Sequence, residues 1–228
     1  MSYLIIWILK HWLLFISAIA GAVAFYLWSN WKLINIPKKI CGVFVIILVC
    51  HMIEEYVYPA GFHYIFNLVM GGSVDPTVYP LNQLCCMVTN FIAVIIFVFA
   101  LWKISDKLYT LLTIAIFPIG QIITHTIFGI KSFEIFSSYG QSIPYSPGMI
   151  NSIFFMLPIT IYCIVYILRN RKIYFKNIQI TLLHIGITIF AIAFLIGGLI
   201  LLPMNVLGND LNAPYIFENQ GYYERFLK

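Results

Sequence analysis

Six runs of apolar residues divide this chain, and each has roughly the length needed to cross a bilayer as a helix. A helix spans the hydrocarbon layer with about 20 apolar residues. The runs are continuously apolar rather than alternating, which favours helices over the strands of a barrel. We therefore predict an all-α, polytopic membrane protein. Its six transmembrane helices are expected at about residues 12–28, 40–57, 82–102, 108–128, 147–168 and 180–202.

The composition indicates one membrane domain over residues 1–228, with an outer-face tail at 203–228. Of the 228 residues, 62% are hydrophobic and 9% are charged, whereas a soluble domain has about 25% charged residues. No stretch is polar enough, for long enough, to fold alone in water. A possible signal-peptide cleavage site precedes Gly21, but the apolar run continues to Trp28, which favours a retained first helix.

Basic residues set the orientation of the helices. The first, third and fifth connections between the runs carry most of the lysines and arginines, whereas the second and fourth contain only Lys131. By the positive-inside rule the odd connections are cytoplasmic, which places both termini outside (N-out/C-out). The net charge of +5 thus reports topology, and no nucleic-acid partner is expected. The basic positions are Lys32, Lys38, Lys39, Lys103, Lys107, Arg169, Arg171, Lys172 and Lys176.

The second apolar run carries three ionisable side chains. His51, Glu54 and Glu55 stand at i, i+3 and i+4, which places them on one face of a helix. An acidic residue at the centre of a membrane helix costs roughly 2.5–3.5 kcal/mol. Such residues face a protein interior or a wet cavity, and they mark function by default.

With the predicted orientation, other helices place polar residues at the same depth, near the outer side. Gln121 and His125 are stacked at i and i+4 on the fourth helix, and Asn151 lies one turn into the fifth. Ser146 followed by Pro147 predicts an N-cap and a first-turn proline. The free N–H groups at this helix start would then face the polar cluster, where they can hold an anion.

These residues resemble the motifs of a known family. Residues 51–55, His-Met-Ile-Glu-Glu, match the signature of the HXXEE family of bacterial and archaeal integral membrane proteins. Residues 145–148, Tyr-Ser-Pro-Gly, match its second motif, Y-x-P-G. Its third motif, N-x-x-x-H, is matched at His125, with Gln121 where asparagine is expected. The resemblance covers about residues 40–168 and implies a multi-pass protein of a bacterial plasma membrane with a site, but no established reaction.

Two imidazoles and one or two carboxylates form a donor set that suits zinc or iron, with a position left open for water or substrate. A divalent cation would also offset the charge of two adjacent carboxylates. We expect His51, Glu54 and His125 to be the metal ligands and Glu55 to be the general base, with the roles of the two glutamates interchangeable. Tyr145 is expected to donate to a substrate oxygen as a catalytic residue. The expected supporting residues are Gln121, Asn151, Ser146 and Gly148.

The leading hypothesis is a membrane-embedded, metal-dependent enzyme of the hydrolase type. It would act on a lipid or another apolar small molecule from the outer leaflet. Two alternatives stay open: a proton- or cation-coupled small-molecule transporter, and a non-catalytic membrane protein such as an immunity or sensing factor. A buried hydrogen-bonded network without a metal would also account for the polar residues. Few polar residues are expected in the cytoplasmic half, which disfavours the transporter. The sequence leaves the oligomeric state undetermined.

Overall fold

A computed structural model describes residues 3–72, 75–208 and 220–227, and every regular element in these ranges is helical. Six of the helices are long and apolar enough to cross a membrane, which confirms the all-α class and the number of predicted spans. The main helices are α1 (Tyr3–Asn30), α2 (Ile36–Tyr56), α3 (Phe62–Gly71), α4 (Gln83–Lys103), α5 (Leu108–Phe136), α6 (Met149–Arg169) and α7 (Ile178–Leu207).

Asparagine side chains start three of the spanning helices. The side chains of Asn35, Asn82 and Asn177 accept hydrogen bonds from backbone N–H groups at the starts of α2, α4 and α7. Each cap satisfies donors that have no partner within the helix. Pro37 lies in the first turn of α2, where its missing N–H costs nothing.

Two spans continue well past their predicted C-terminal ends, and α1 begins at Tyr3, before its predicted start at residue 12. α5 continues past residue 128 to Phe136, and Lys131 and Glu134 form an ion pair of 2.7 Å on the added turns. α7 continues past residue 202 because Pro203 lies in the first turn of an α-helical segment that follows a π-helical one (Phe194–Leu201). Part of the expected tail is therefore helix.

α2 is the central helix of the bundle. Within its span 56% of the residues are buried, against 12% within α7. α2 packs on α1 and α4, and Phe44, Leu48 and Met52 are part of the main core. Large apolar side chains such as Phe25 and Phe190 remain more than two-thirds exposed on the outside of the bundle. An exposed apolar surface of this kind is typical of a protein embedded in lipid.

A second, smaller core lies at one end of the bundle. It is formed by α3, the end of α5 and a 3₁₀-helical turn at Gly221–Phe226, whose Tyr223 is completely buried. The middle of the expected tail, residues 209–219, lies outside the described residues. The C-terminal ends of α2 and α5, the start of α6, and α3 all meet at this end, and we call it the site end.

Candidate metal centre

Three side chains meet between α2 and α5 at the site end. Oε1 of Glu55 lies 3.4 Å from Nε2 of His51 and 3.3 Å from Nε2 of His125. The two Nε2 atoms are 3.2 Å apart. All three residues are buried, His125 completely. Their ligand atoms form a nearly equilateral triangle, a group that can hold a metal ion.

The size of this triangle agrees with metal coordination. Ligand atoms around tetrahedral zinc, with bonds of about 2.1 Å, lie about 3.4 Å apart. The three separations between His51, Glu55 and His125 range from 3.2 to 3.4 Å. Three protein ligands at the corners of such a face would leave one coordination position open.

Of the two glutamates whose roles the sequence left interchangeable, Glu55 is the one whose carboxylate meets the imidazoles. The expectation had Glu54 as the ligand and Glu55 as the base, and the chemical roles of both residues stay predictions. Glu55 is four residues after His51 on α2, about one helical turn further along, so the two side chains are neighbours on the same face. Glu54 is rotated by about 100° around the helix axis and faces α6 instead.

Glu54 is held by the start of α6. Its Oε2 accepts a hydrogen bond of 2.7 Å from the backbone N–H of Asn151. Its Oε1 accepts from the backbone N–H of Ile150 at 3.1 Å and from the Tyr145 hydroxyl at 3.0 Å. The first turn of α6 thus binds an anion, as its free N–H groups and positive dipole end favour. That anion is a carboxylate of the same chain.

The turn before α6 wraps around His125. The helix begins at Met149 with Gly148 as its left-handed cap, which corrects the expectation of an N-cap at Ser146 and a first-turn proline at residue 147. The Ser146 hydroxyl instead donates to the carbonyl oxygen of His125 at 2.9 Å. A Cβ added to Gly148 would lie 2.8 Å from both ring nitrogens of His125, so only glycine allows this approach.

Both imidazoles turn their second nitrogen toward a serine. Nδ1 of His51 lies 3.4 Å from Oγ of Ser152, and Nδ1 of His125 lies 3.5 Å from Oγ of Ser146. A metal-binding histidine characteristically directs its other ring nitrogen to a hydrogen-bonding partner in this way. The arrangement turns both Nε2 atoms toward Glu55.

Ser152 and Phe62 belong to the site, although nothing in the sequence singled them out. Ser152 begins a π-helical turn in which the N–H of Leu157 bonds to the Ser152 carbonyl oxygen. This wider turn changes which residues of α6 face α2, and no motif in the sequence predicts it. The Phe62 ring, on α3, packs against His125 with ring centroids 4.5 Å apart.

Gln121 and Asn151, two of the expected supporting residues, differ in what they contact at the site. Gln121 is half-buried one turn before His125, and within the described ranges it forms no hydrogen bond with the three clustered side chains. Asn151 is buried, and its backbone contacts Glu54. Its side-chain Oδ1 has no hydrogen-bond partner among the described residues.

Tyr145 keeps its proton in this setting. Burial raises the pKa of its phenol above the ordinary tyrosine value, and the neighbouring Glu54 carboxylate raises the pKa further. The hydroxyl therefore stays a donor. The structure directs this donor to Glu54, where the sequence predicted a substrate oxygen.

Known proteins place the chain in a family but leave its activity open. No curated protein and no solved structure matches it significantly. The family model described as "Protein of unknown function with HXXEE motif" matches residues 42–163. This range is more than half of the chain and includes both glutamates, both clustered histidines and the turn before α6. The chain therefore belongs to the HXXEE family.

Proposed function

We propose that this protein is a membrane-embedded, metal-dependent enzyme of the hydrolase type. It acts on a lipid or another apolar small molecule from the outer leaflet of a bacterial plasma membrane. The observation that carries the proposal is the triangle of Nε2, Nε2 and Oε1 atoms from His51, His125 and Glu55, with sides of 3.2–3.4 Å.

The surroundings of the triangle favour a cation at its centre over a network of hydrogen bonds. If both Nδ1 atoms carry the proton and donate to Ser146 and Ser152, the Nε2 atoms present lone pairs to each other and to a carboxylate oxygen. Three electron-rich atoms in mutual contact inside a protein repel one another unless a positive charge joins them. Zinc and iron both accept two imidazoles and one carboxylate.

Three protein ligands favour catalysis over a structural role. Structural zinc sites are closed by four protein ligands, whereas catalytic sites use three and keep one position for water or substrate. A divalent cation held by His51, His125 and Glu55 would polarise a bound water or a substrate oxygen. Both imidazoles meet the same oxygen of Glu55, Oε1, so we assign Oε2 as the acceptor of a proton from the attacking water.

Glu54 then has a positioning role. Three hydrogen bonds from α6 and Tyr145 hold its carboxylate, which makes it a firm link between α2 and α6. That link keeps Ser152 opposite His51. Ile150 beside it is 51% exposed on the outside of the bundle, so the Glu54 side of the centre lies closest to lipid.

Metal analysis of the purified protein tests the proposal. We expect about one zinc or iron ion per chain in detergent-solubilised protein, and loss of this metal in His51→Ala and Glu55→Gln. Glu134→Gln, an exposed carboxylate at the same end of the bundle, is the matched control and should keep the metal. When extracted bacterial lipids are incubated with the native protein, a hydrolysis product should appear. It should not appear with His51→Ala or Glu55→Gln.

The absence of zinc and iron from both the native protein and a sample reconstituted with either metal would overturn the proposal. Metal at full occupancy in Glu55→Gln would equally contradict the assigned ligand set.

A further inference from the structure

A groove with a volume of about 410 Å³ lies at the site end, between the turn after α2 and the C-terminal 3₁₀-helical turn. A hydrogen bond of 3.2 Å from the N–H of Tyr222 to the carbonyl oxygen of Ala60 joins the two walls. We call this cavity the terminal groove. It is lined by Tyr58, Pro59, Gly221, Tyr222, Glu224 and Arg225.

Arg225 presents a prepared anion-binding group to this groove. Its guanidinium stacks on the rings of Tyr222 and Phe226, with distances of 4.1 and 4.8 Å to the ring centroids. No carboxylate within the described part of the chain pairs with it. Stacking fixes the plane of the guanidinium and leaves its N–H donors free, which suits a phosphate group.

The same groove also offers a site for a cation. The exposed carboxylate of Glu224 lines it, and Oε1 is positioned by a hydrogen bond of 3.2 Å from the N–H of Gln220. The Tyr58 side chain, 82% exposed, adds an aromatic face. A carboxylate beside an aromatic ring binds an ammonium group, and a primary ammonium can also donate hydrogen bonds to the carboxylate.

The depth of the terminal groove favours a membrane lipid over a soluble phosphate. The apolar span of α2 ends at Tyr56, so Tyr58 and Pro59 lie where the hydrocarbon layer gives way to headgroups. We propose that the terminal groove binds the zwitterionic headgroup of phosphatidylethanolamine, with the phosphate on Arg225 and the ammonium on Glu224.

The groove adjoins the metal centre through two tyrosines. The ring of Tyr222 packs against that of Tyr145 with centroids 4.8 Å apart, and the Tyr145 hydroxyl bonds to Glu54. A lipid held by its headgroup there would have its ester region next to the metal centre. Headgroup binding stands without any catalytic assumption, but the identification of this lipid as the substrate rests on the proposed function.

Native mass spectrometry of the full chain with lipids of identical acyl chains tests the binding. We expect phosphatidylethanolamine to bind more tightly than phosphatidylcholine or phosphatidylglycerol, by about tenfold. Arg225→Gln should reduce binding of all three lipids. Glu224→Gln should remove the preference for phosphatidylethanolamine while phosphatidylglycerol still binds. Lys131→Gln and Glu134→Gln, an exposed ion pair of 2.7 Å on α5, are the matched charge controls.

Equal binding of the three lipids, or a preference that survives both groove substitutions, would overturn the inference. Displacement of the lipid by millimolar inorganic phosphate alone would identify a soluble anion as the occupant and would also overturn it. Retained unfolding temperatures of the two groove variants show that they fold.

The failures of the two proposals are distinguishable. Glu55→Gln should abolish hydrolysis yet still bind phosphatidylethanolamine, because the terminal groove contains no metal ligand. Lipid hydrolysis whose KM does not change in Arg225→Gln would show that the groove does not hold the substrate, and would leave the enzyme intact. Selective binding without metal in any preparation would contradict the enzyme and leave the groove intact.

Discussion

Gly148 lies so close to the imidazole of His125 that a methyl group at this position has no room. Gly148 and Gly140 both have left-handed backbones, with φ of +95° and +101°, but a Cβ at Gly140 would meet open space. We expect Gly148→Ala to weaken metal binding at least tenfold and to destabilise the fold by roughly 2–4 kcal/mol. Gly140→Ala carries the backbone strain alone, about 1–2 kcal/mol, and should bind metal normally.

Metal titration measures the affinity of Gly148→Ala and Gly140→Ala for metal, and thermal unfolding measures their stability. Equal loss of metal affinity in the two variants would show that strain, rather than contact with His125, controls the site.

Removal of the Tyr145 hydroxyl should lower the free energy of unfolding by an amount that depends on pH. Tyr145→Phe deletes one of the three donors to Glu54, and we expect a loss of about 2 kcal/mol in unfolding free energy at neutral pH. The folded phenol has a raised pKa, whereas the unfolded phenol ionises near pH 10. Above pH 10 the unfolded state therefore binds fewer protons than the folded state. The difference in unfolding free energy between the native protein and Tyr145→Phe decreases as the pH rises further.

Denaturant unfolding of the two proteins at pH 8 and pH 11 measures this difference. Tyr139→Phe, at a side chain that is 63% exposed, is the control and should match the native protein at both values. An advantage that grows between pH 8 and pH 11 would contradict the assignment of Tyr145 as a protonated donor.

Within α6, the π-helical turn at Ser152–Met156 sets which residues face the candidate metal centre. Deletion of Phe154, which is 66% exposed on the outside of the bundle, would convert the wide turn to regular α-helix. The segment before it would then rotate by about 100° relative to the rest of α6. We expect the deletion to abolish metal binding while the helix content stays unchanged.

Circular dichroism and metal analysis of the deletion variant test this effect, with Phe154→Ala as the control that should keep the metal. Full metal occupancy after the deletion would show that the wide turn has no part in the site.

Helix lengths and starts could be predicted to different degrees, for physical reasons that particular residues show. The starts of α2 and α4 lie at asparagine caps beside long apolar runs, and both signals are local. The start of α6 depends on the left-handed conformation of Gly148, which is favoured by packing against His125. The short helix α3 is stabilised mainly by burial of residues such as Ile65, so its own sequence gives no spanning signal.

The candidate site was predictable in its members but only partly in their roles. Spacing placed His51, Glu54 and Glu55 on one face, and two glutamates separated by about 100° share that face almost equally. Only the position of α6 decides between them, because its first turn supplies the donors that bind Glu54. That position is a tertiary property that no single motif contains.

Across the whole molecule, the distribution of lysine and arginine predicts the orientation in the membrane. In a cysteine-free background, we expect Ser138→Cys, before α6, to react with a membrane-impermeant maleimide on intact cells. Ile173→Cys, between α6 and α7 and 72% exposed, should react only after the membrane is opened. Labelling in the reverse pattern would show that the orientation is opposite, with the candidate metal centre at the inner leaflet.

A turn that packs against Tyr145, beside the candidate metal centre, comes from a part of the chain that the ribosome makes late. The three clustered side chains and the donors to Glu54 are complete once α6 has been synthesised. The turn at Gly221–Phe226, which packs against Tyr145, follows about 50 residues later in translation. During biogenesis there is thus an interval in which the three clustered side chains have been synthesised and this turn has not, so we expect a cation to be able to enter before the turn packs against Tyr145.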